Sequence, residues 1–382
     1  MVHRQPIRRR DWLRMLTATA AILGTADFVE AASPTGSQIH RIDLTDIDGR
    51  PAAITAMAVS PSAGWICVGT ADDRLQLIDA ASMEIAGAIV AHRDRIRSVC
   101  FSPDGDRIAS VGNDGQLIVW AVDKIRGLRR VQVIGQTPSL ARVAFSPDGG
   151  RIIAVGFTNA VYVLGRNGNA SGQMTCSHTD MRGLTHDVHG RLIVAGRAGR
   201  AGRGGGGAVH VFDRDGTDPP RPDPPRPSES FAKPSMPRLT NISLPSGAAV
   251  GLDAGSDVGD HEIRQCRTNP GTINDVATLP SDGRLVCVCD RGIVSQYDGA
   301  GNAVDIRLRI GTGRLFAVEP IDSHRVAVAG SDDVIRVVDL SSRRLTQSLR
   351  GHHGSVVDLA MMDGRLISAG YDATVRTWRL DR

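Results

Sequence analysis

Glycines at the spacing of a dinucleotide-binding loop run through "GRAGRAGRGGGG", residues 196–207, and the arginines among them would attract an anion. Such a loop works where it leads from a strand into a helix whose first N–H groups face the phosphates. Here both flanks read as strands of one repeated unit, so the stretch is expected to be a hairpin loop. Three acids and a glycine gather in "DLTDIDG", residues 43–49, but without the spacing or the closing Glu of a calcium loop. A solvated turn is expected there. The six cysteines, at 67, 100, 176, 266, 287 and 289, form no Cys-x-x-Cys and no zinc spacing. Cys287 and Cys289 alternate with apolar residues in "RLVCVC", which puts both sulfurs on one strand face as small buried hydrophobes; a disulfide or metal pair is the alternative. "DPPRPDPPRPS", residues 218–228, reads as extended polyproline, a rigid spacer or frayed outer strand, although aromatic grooves recognise the same form. No Ser/His/Asp order and no paired carboxylates stand out beyond those that a repeat explains as structure.

The elements that must carry these residues repeat. An apolar strand, a tight turn, a second strand opening with a base, a turn of Gly and Asp, and a third strand recur from about residue 50, most clearly in "SVCFSPDGDRIASVGNDGQLIVW", "RVAFSPDGGRIIAVGFTNAVYVL" and "SVVDLAMMDGRLISAGYDATVRTW". The residue opening the second strand measures the period: Trp65, Arg107, Arg151, Arg191, Arg238, Arg284, Arg325 and Arg365, in steps of 40 to 47 residues. In "SPDG" the proline presets φ, the Asp tolerates the next position and the Gly supplies φ > 0, which closes an antiparallel hairpin. Strands such as "RIASVG" and "QLIVW" are apolar nearly throughout, as expected of strands covered on both faces. One four-stranded sheet cannot bury both its faces, whereas a ring of them can.

The period and the residues within it resemble the WD-repeat family. Members of that family carry a structural tetrad of His, Ser or Thr, Asp and Trp, and two units hold complete sets: His92, Ser110, Asp114 and Trp120, then His352, Ser368, Asp372 and Trp378. The resemblance implies that the Asp holds the His and that the Trp is pinned through its ring N–H. Other units keep fragments, Asp72 in one, Asp290 with Tyr297 in another, and Asp332 with Val338 in place of Trp, so packing alone is expected to hold them. The implied fold class is all-β, a propeller of four-stranded antiparallel blades. Alignment on Arg238 adds a unit over residues 214–270 and favours eight blades; the alternative is seven, with that stretch as an insertion. Residues 261–267, "HEIRQCR", form an outer strand under either count. The last unit ends at Trp378 without an outer strand, which "QIHRIDL", residues 38–44, is placed to supply, closing the ring.

"RRDWLR", residues 9–14, resembles the twin-arginine export signal, with Arg9, Arg10, Trp12 and Leu13 in the signal's positions. A short, moderately apolar stretch and the small residues around Ala31 follow, too short to span a bilayer. The expected organisation is a signal peptide over 1–31 and one propeller over 38–382 that includes an unusual loop at 197–228. A net charge of +4 is too weak to argue for nucleic acid, and none is expected as partner. The expected function is that of an exported, periplasmic or extracellular scaffold that binds a protein or peptide, without catalysis or cofactor and with no membrane span once the signal is removed. An uncleaved signal would leave it anchored. Two rivals stand: a hydrolase or oxidoreductase with its site at the central channel, announced by converging acids, and a glycan binder, announced by exposed aromatics such as Tyr162 and Tyr371.

Overall fold

A computed structural model describes residues 37–381 except 61–63, 124–126, 136, 177–179, 198–205, 213–263, 270, 300–302 and 312, together with the pair Asp27–Phe28. Its strands form seven antiparallel sheets. Blade 1 is built from Ile54–Val59, Trp65–Thr70, Arg74–Asp79 and Glu84–Val90, and blade 2 from Ile96–Phe101, Arg107–Gly112, Leu117–Asp123 and Gly127–Ile134. Blade 3 runs Leu140–Phe145, Arg151–Gly156, Ala160–Gly165 and Ala170–Thr175; blade 4 runs Asp180–His186, Leu192–Arg197, Gly207–Phe212 and Arg264–Asn269. Blade 5 holds Ile273–Thr278, Leu285–Cys289, Ile293–Tyr297 and Ala303–Arg309, and blade 6 holds Leu315–Pro320, Arg325–Gly330, Ile335–Asp339 and Arg344–Leu349. Blade 7 takes Val356–Met362, Arg365–Gly370 and Thr374–Trp378 from the chain's end and its outer strand, Gln38–Asp43, from near the start. Asp27–Phe28 adds a short parallel strand to the outer edge of blade 5.

Local chemistry forms each blade. In blade 2 the turn is closed by Gly105 N–H to the Ser102 carbonyl at 2.9 Å, with Gly105 at φ 75°, while the Ser102 hydroxyl accepts from Arg107 N–H at 3.0 Å. Blade 3 repeats it with Gly149 and with Arg151 N–H donating to Ser146 Oγ at 2.9 Å. The second strands are buried almost throughout, whereas an outer strand such as Glu84–Val90 is largely exposed. The apolar clusters accordingly lie between consecutive blades, as where Ile96 and Phe101 of blade 2 pack on Cys67 and Leu77 of blade 1.

The ring has seven blades and not eight. The innermost strand of blade 4 packs directly on that of blade 5, and every other blade likewise contacts the next, with blade 7 returning to blade 1. Residues 213–263, on which the eighth unit was aligned through Arg238, lie outside the described residues and fall between the third and outer strands of blade 4. The physical reason for the miscount is that the eighth unit rested on spacing around Arg238, whereas the number of blades is set by which inner strands pack side by side. Among the described residues no helix is long and apolar enough to cross a membrane.

Candidate functional site

The two tetrads have the geometry of a proton-relay triad. His92 Nδ1 lies 3.0 Å from Asp114 Oδ1, and its Nε2 lies 2.8 Å from Ser110 Oγ. The Trp120 ring N–H donates to the same Ser110 Oγ at 2.9 Å. In blade 7 the corresponding distances are 2.9 Å for His352 to Asp372, 2.7 Å for His352 to Ser368 and 2.8 Å for Trp378 to Ser368. Burial pushes the His92 imidazole below its ordinary range against the pull of Asp114, so the ring is neutral near pH 7. The neutral tautomer makes an unbroken chain: Trp120 N–H to Ser110 oxygen, Ser110 O–H to His92 Nε2, and His92 Nδ1–H to Asp114. The same order fits blade 7. Ser110 and Ser368 are both fully buried, and each hydroxyl oxygen is already engaged by indole, so neither can meet a substrate. The sets are structural. Burial raises Asp114, but the Arg93 N–H at 3.0 Å and His92 outweigh it and hold the carboxyl below its usual range, which also pins the loop before the inner strand.

In the other blades the serine position is apolar and fully buried: Val68, Ala154, Val194, Cys287 and Val328. Their tetrad fragments take local partners or none. Asp290 accepts Thr272 N–H at 3.0 Å and Asp332 pairs with Arg336 at 2.8 Å, whereas the buried carboxylate of Asp72 has no hydrogen-bond partner among the described residues.

The site that the sequence motifs did not reveal is at the mouth of the central channel. In every blade the innermost strand slips register once against its neighbour, and the skipped residues are Thr55, Arg97, Ala141, Arg182, Asn274, Phe316 and Val357. A bulge breaks the two-residue alternation of the strand and re-aims one side chain. All seven of these side chains line one cavity of about 290 Å³, with Arg95, Arg142, Phe157 and Tyr371 joining them.

Charge at this mouth is unevenly compensated. Arg182 is clamped by Asp180 at 2.7 and 2.9 Å, and Arg142 pairs with Asp275 at 3.4 Å while donating to the Arg182 carbonyl at 2.8 Å. Among the described residues the Arg97 side chain reaches only the neutral Asn113 Oδ1, at 2.7 Å, and that of Arg95 only the Tyr371 hydroxyl. Burial, Arg95 and Arg182 press the Arg97 guanidinium below its ordinary value. The guanidinium carbons of Arg97 and Arg182 stand 5.6 and 5.8 Å from the Phe157 ring centre, and that of Arg95 stands 5.2 Å from the Tyr371 ring.

Deeper in the ring three carboxylates converge, as a channel enzyme would require. Burial pushes Asp358 up to about 6 and Glu319 up to about 8, and it raises Asp275 against the pull of Arg142. Each of them, however, staples two blades: Asp358 accepts Met57 N–H at 3.1 Å, Asp275 accepts Val318 N–H at 3.1 Å, and Glu319 accepts Met361 N–H at 2.9 Å. Ser98 does the same for Val143 N–H at 3.3 Å. These groups complete backbone donors between blades.

The remaining expectations fall as follows. Cys67, Cys100 and Cys289 are free thiols, with Cys100 pushed up to about 12 by burial. Asp46 Oδ1 accepts the N–H groups of Asp48 and Arg50 at 2.8 and 2.9 Å, making "DLTDIDG" a turn. Residues 198–205 lie outside the described residues but connect the second and third strands of blade 4, Leu192–Arg197 and Gly207–Phe212. Residues 218–228 and the export-signal residues Arg9, Arg10, Trp12 and Leu13 also lie outside them. Tyr162 is half-buried in the third strand of blade 3, and Tyr371 stands exposed at the mouth.

The comparisons with known proteins agree with this architecture. The "WD domain, G-beta repeat" family model matches residues 84–121 and 343–379, the stretches that contain all four members of each tetrad. Residues of this chain are 41% identical over 141 positions to human WD repeat-containing protein 36, covering 36% of this chain and 16% of that protein. They are 37% identical over 99 positions to the U3 small nucleolar RNA-associated protein 21 homolog of Schizosaccharomyces pombe, covering 25% of this chain and 11% of that protein. The WD repeat-containing protein 91 of Pongo abelii is 33% identical over 78 positions, covering 20% of this chain and 11% of its own length. The chain therefore matches only a small part of each of these longer relatives. Seven four-stranded blades in a closed ring make this protein a β-propeller, and the two blades with complete tetrads are the ones that carry the matched WD repeats.

Proposed function

We propose that this protein is an exported, non-enzymatic scaffold that binds a protein or peptide partner on the ring face around the channel mouth. The observation that carries this reading is the convergence of one bulged residue from each of seven blades on a single open cavity rimmed by exposed Phe157 and Tyr371. A surface assembled from rigid strands loses little order on binding, which favours recognition. The chemistry-capable groups, by contrast, are consumed as structure: both serines lie behind indoles, and the channel acids hold backbone N–H groups. The export reading rests on "RRDWLR" at residues 9–14. Cleavage near Ala31 would also remove Asp27 and Phe28, whose two-residue pairing adds little to blade 5.

The test is site-specific photocrosslinking in the native cell envelope, with a benzophenone side chain at Phe157 and, as control, at Arg129 on the outer strand of blade 2. A discrete protein adduct at 157 and none at 129 is the expected outcome. Adducts at neither position, together with turnover of any substrate that depends on Asp275, would favour the channel enzyme. For export, replacing Arg9 and Arg10 with Lys is expected to retain the protein in the cytoplasm, and undiminished export would sink that part of the reading.

A further inference from the structure

The mouth carries more positive charge than the fold needs. Of the four arginines there, Arg142 and Arg182 are matched by Asp275 and Asp180. Arg95 and Arg97 have no carboxylate partner among the described residues, and the buried Nε of Arg95 has no hydrogen-bond partner there at all. The nearest other acid on the same loop, Asp94, is exposed, and its Oδ1 accepts the Arg95 backbone N–H at 2.6 Å instead of a guanidinium. Leaving a half-buried guanidinium donor unmet costs free energy, because water is lost and nothing replaces it. The cavity is of a size to admit one or two side chains, and its aromatic wall at Phe157 and Phe316 suits the apolar stem of a Glu.

We propose that the mouth is selective for an acidic segment of a partner protein, with a carboxylate side chain entering the channel between Arg95 and Arg97 and its stem against Phe157. The inference rests on the scaffold reading and deepens it by naming the chemistry of the partner. A carboxylate forked onto a guanidinium forms two parallel charge-assisted hydrogen bonds and supplies the acceptors that Arg95 and Arg97 lack. The tetrad of blade 2 contributes by fixing the loop on which Arg95 stands, through Arg93 N–H to Asp114.

The experiment measures fluorescence anisotropy of a labelled ten-residue Glu-rich peptide and its Gln counterpart on the full mature protein, wild type, R95Q/R97Q and the rim control R129Q, with thermal melts confirming that each is folded. The expected result is binding of the Glu peptide alone, weakened at least tenfold in R95Q/R97Q, unchanged in R129Q and diminished by salt. Equal binding of the Gln peptide, or equal binding by R95Q/R97Q, overturns the proposal. Displacement of the Glu peptide by an equal concentration of inorganic phosphate overturns it in favour of a small-anion site, and dimerisation abolished in R95Q/R97Q would make the occupant a second copy. The two readings fail separately: a crosslinked partner at 157 that excess Glu peptide does not displace removes the acidic assignment and leaves the scaffold, whereas no adduct at 157 removes the scaffold reading itself.

Discussion

Blades 2 and 3 are neighbours with the same "SPDG" turn and the same strand register, yet they join their second and third strands by opposite means. Blade 2 places Ser110 opposite the tetrad's ring and Trp120 ten residues on; blade 3 has Ala154 and Leu164 at the matching positions. Both solutions are fully buried or nearly so. The difference teaches that two neighbouring blades of this fold reach the same strand register either with a complete buried polar set or with apolar residues in the places of its Ser and Trp. A complete set adds something that packing does not, since Asp114 reaches out to the loop N–H of Arg93 and so orders the residues that carry the channel mouth. In blade 3 the matching turn residue, Thr158, makes only a local bond to Ala160 N–H at 3.3 Å.

Several substitutions would break or sharpen this contrast. The largest effect is expected from Trp120→Ala, which removes a fully buried ring and strands the Ser110 hydroxyl; unfolding by denaturant should show a loss of about 3–5 kcal/mol. Glu319 tests an incomplete set, because its raised pKa means that the folded protein holds a proton which the unfolded chain has released between about pH 4.5 and about 8. Stability therefore falls as pH rises through that window, and Glu319→Gln, which keeps an acceptor for Met361 N–H, should match wild type near pH 4 and exceed it at pH 8.5 by on the order of 2–4 kcal/mol. Parallel melting curves at both pH values would show that the carboxyl is not buried as drawn.

Smaller effects separate the tetrad's parts. Ser110→Ala leaves His92 Nε2 and the Trp120 N–H unmet and should cost about 2 kcal/mol, while Ser110→Ala combined with Trp120→Leu, the blade 3 solution, should cost about 1 kcal/mol less than the two single losses added. Strict additivity would mean that the hydrogen-bonded chain is not a unit. The smallest shift concerns acid. The Asp114 carboxyl is held below its ordinary range, so its contribution is present above about pH 4 and is lost as pH falls through the depressed folded value. In Asp114→Asn the decline of stability as pH falls below about 4 should be shallower than in wild type, read from denaturant midpoints across the acid range.

Much of this architecture could be read along the chain. The basic landmark residue opens, or immediately precedes, the second strand of six blades, with Trp65 in the remaining one, and the strand over residues 38–43 does pair with Thr374–Trp378. Both tetrads span under thirty residues each, so their members come together through the hairpins of one blade. The channel mouth was legible only in a column that the motifs hide. The residue after the first apolar position of each inner strand, as in "IRSV", "MRGL" and "INDV", is unremarkable alone and becomes a site only when seven copies are stacked.

What the sequence by itself determined is therefore local: the blade period, the turns, the two closed hydrogen-bond sets and the strand that zips the ring. These depend on contacts within one unit, or on a terminal edge that has only one vacancy to fill. The tertiary structure alone decided the blade number, since that depends on which inner strands pack side by side and not on how many segments resemble a unit. It also decided the uncompensated pair of arginines at the mouth, because closure of the ring sets residues far apart in the chain around one axis and spends the available carboxylates on Arg142, Arg182 and the backbone between blades.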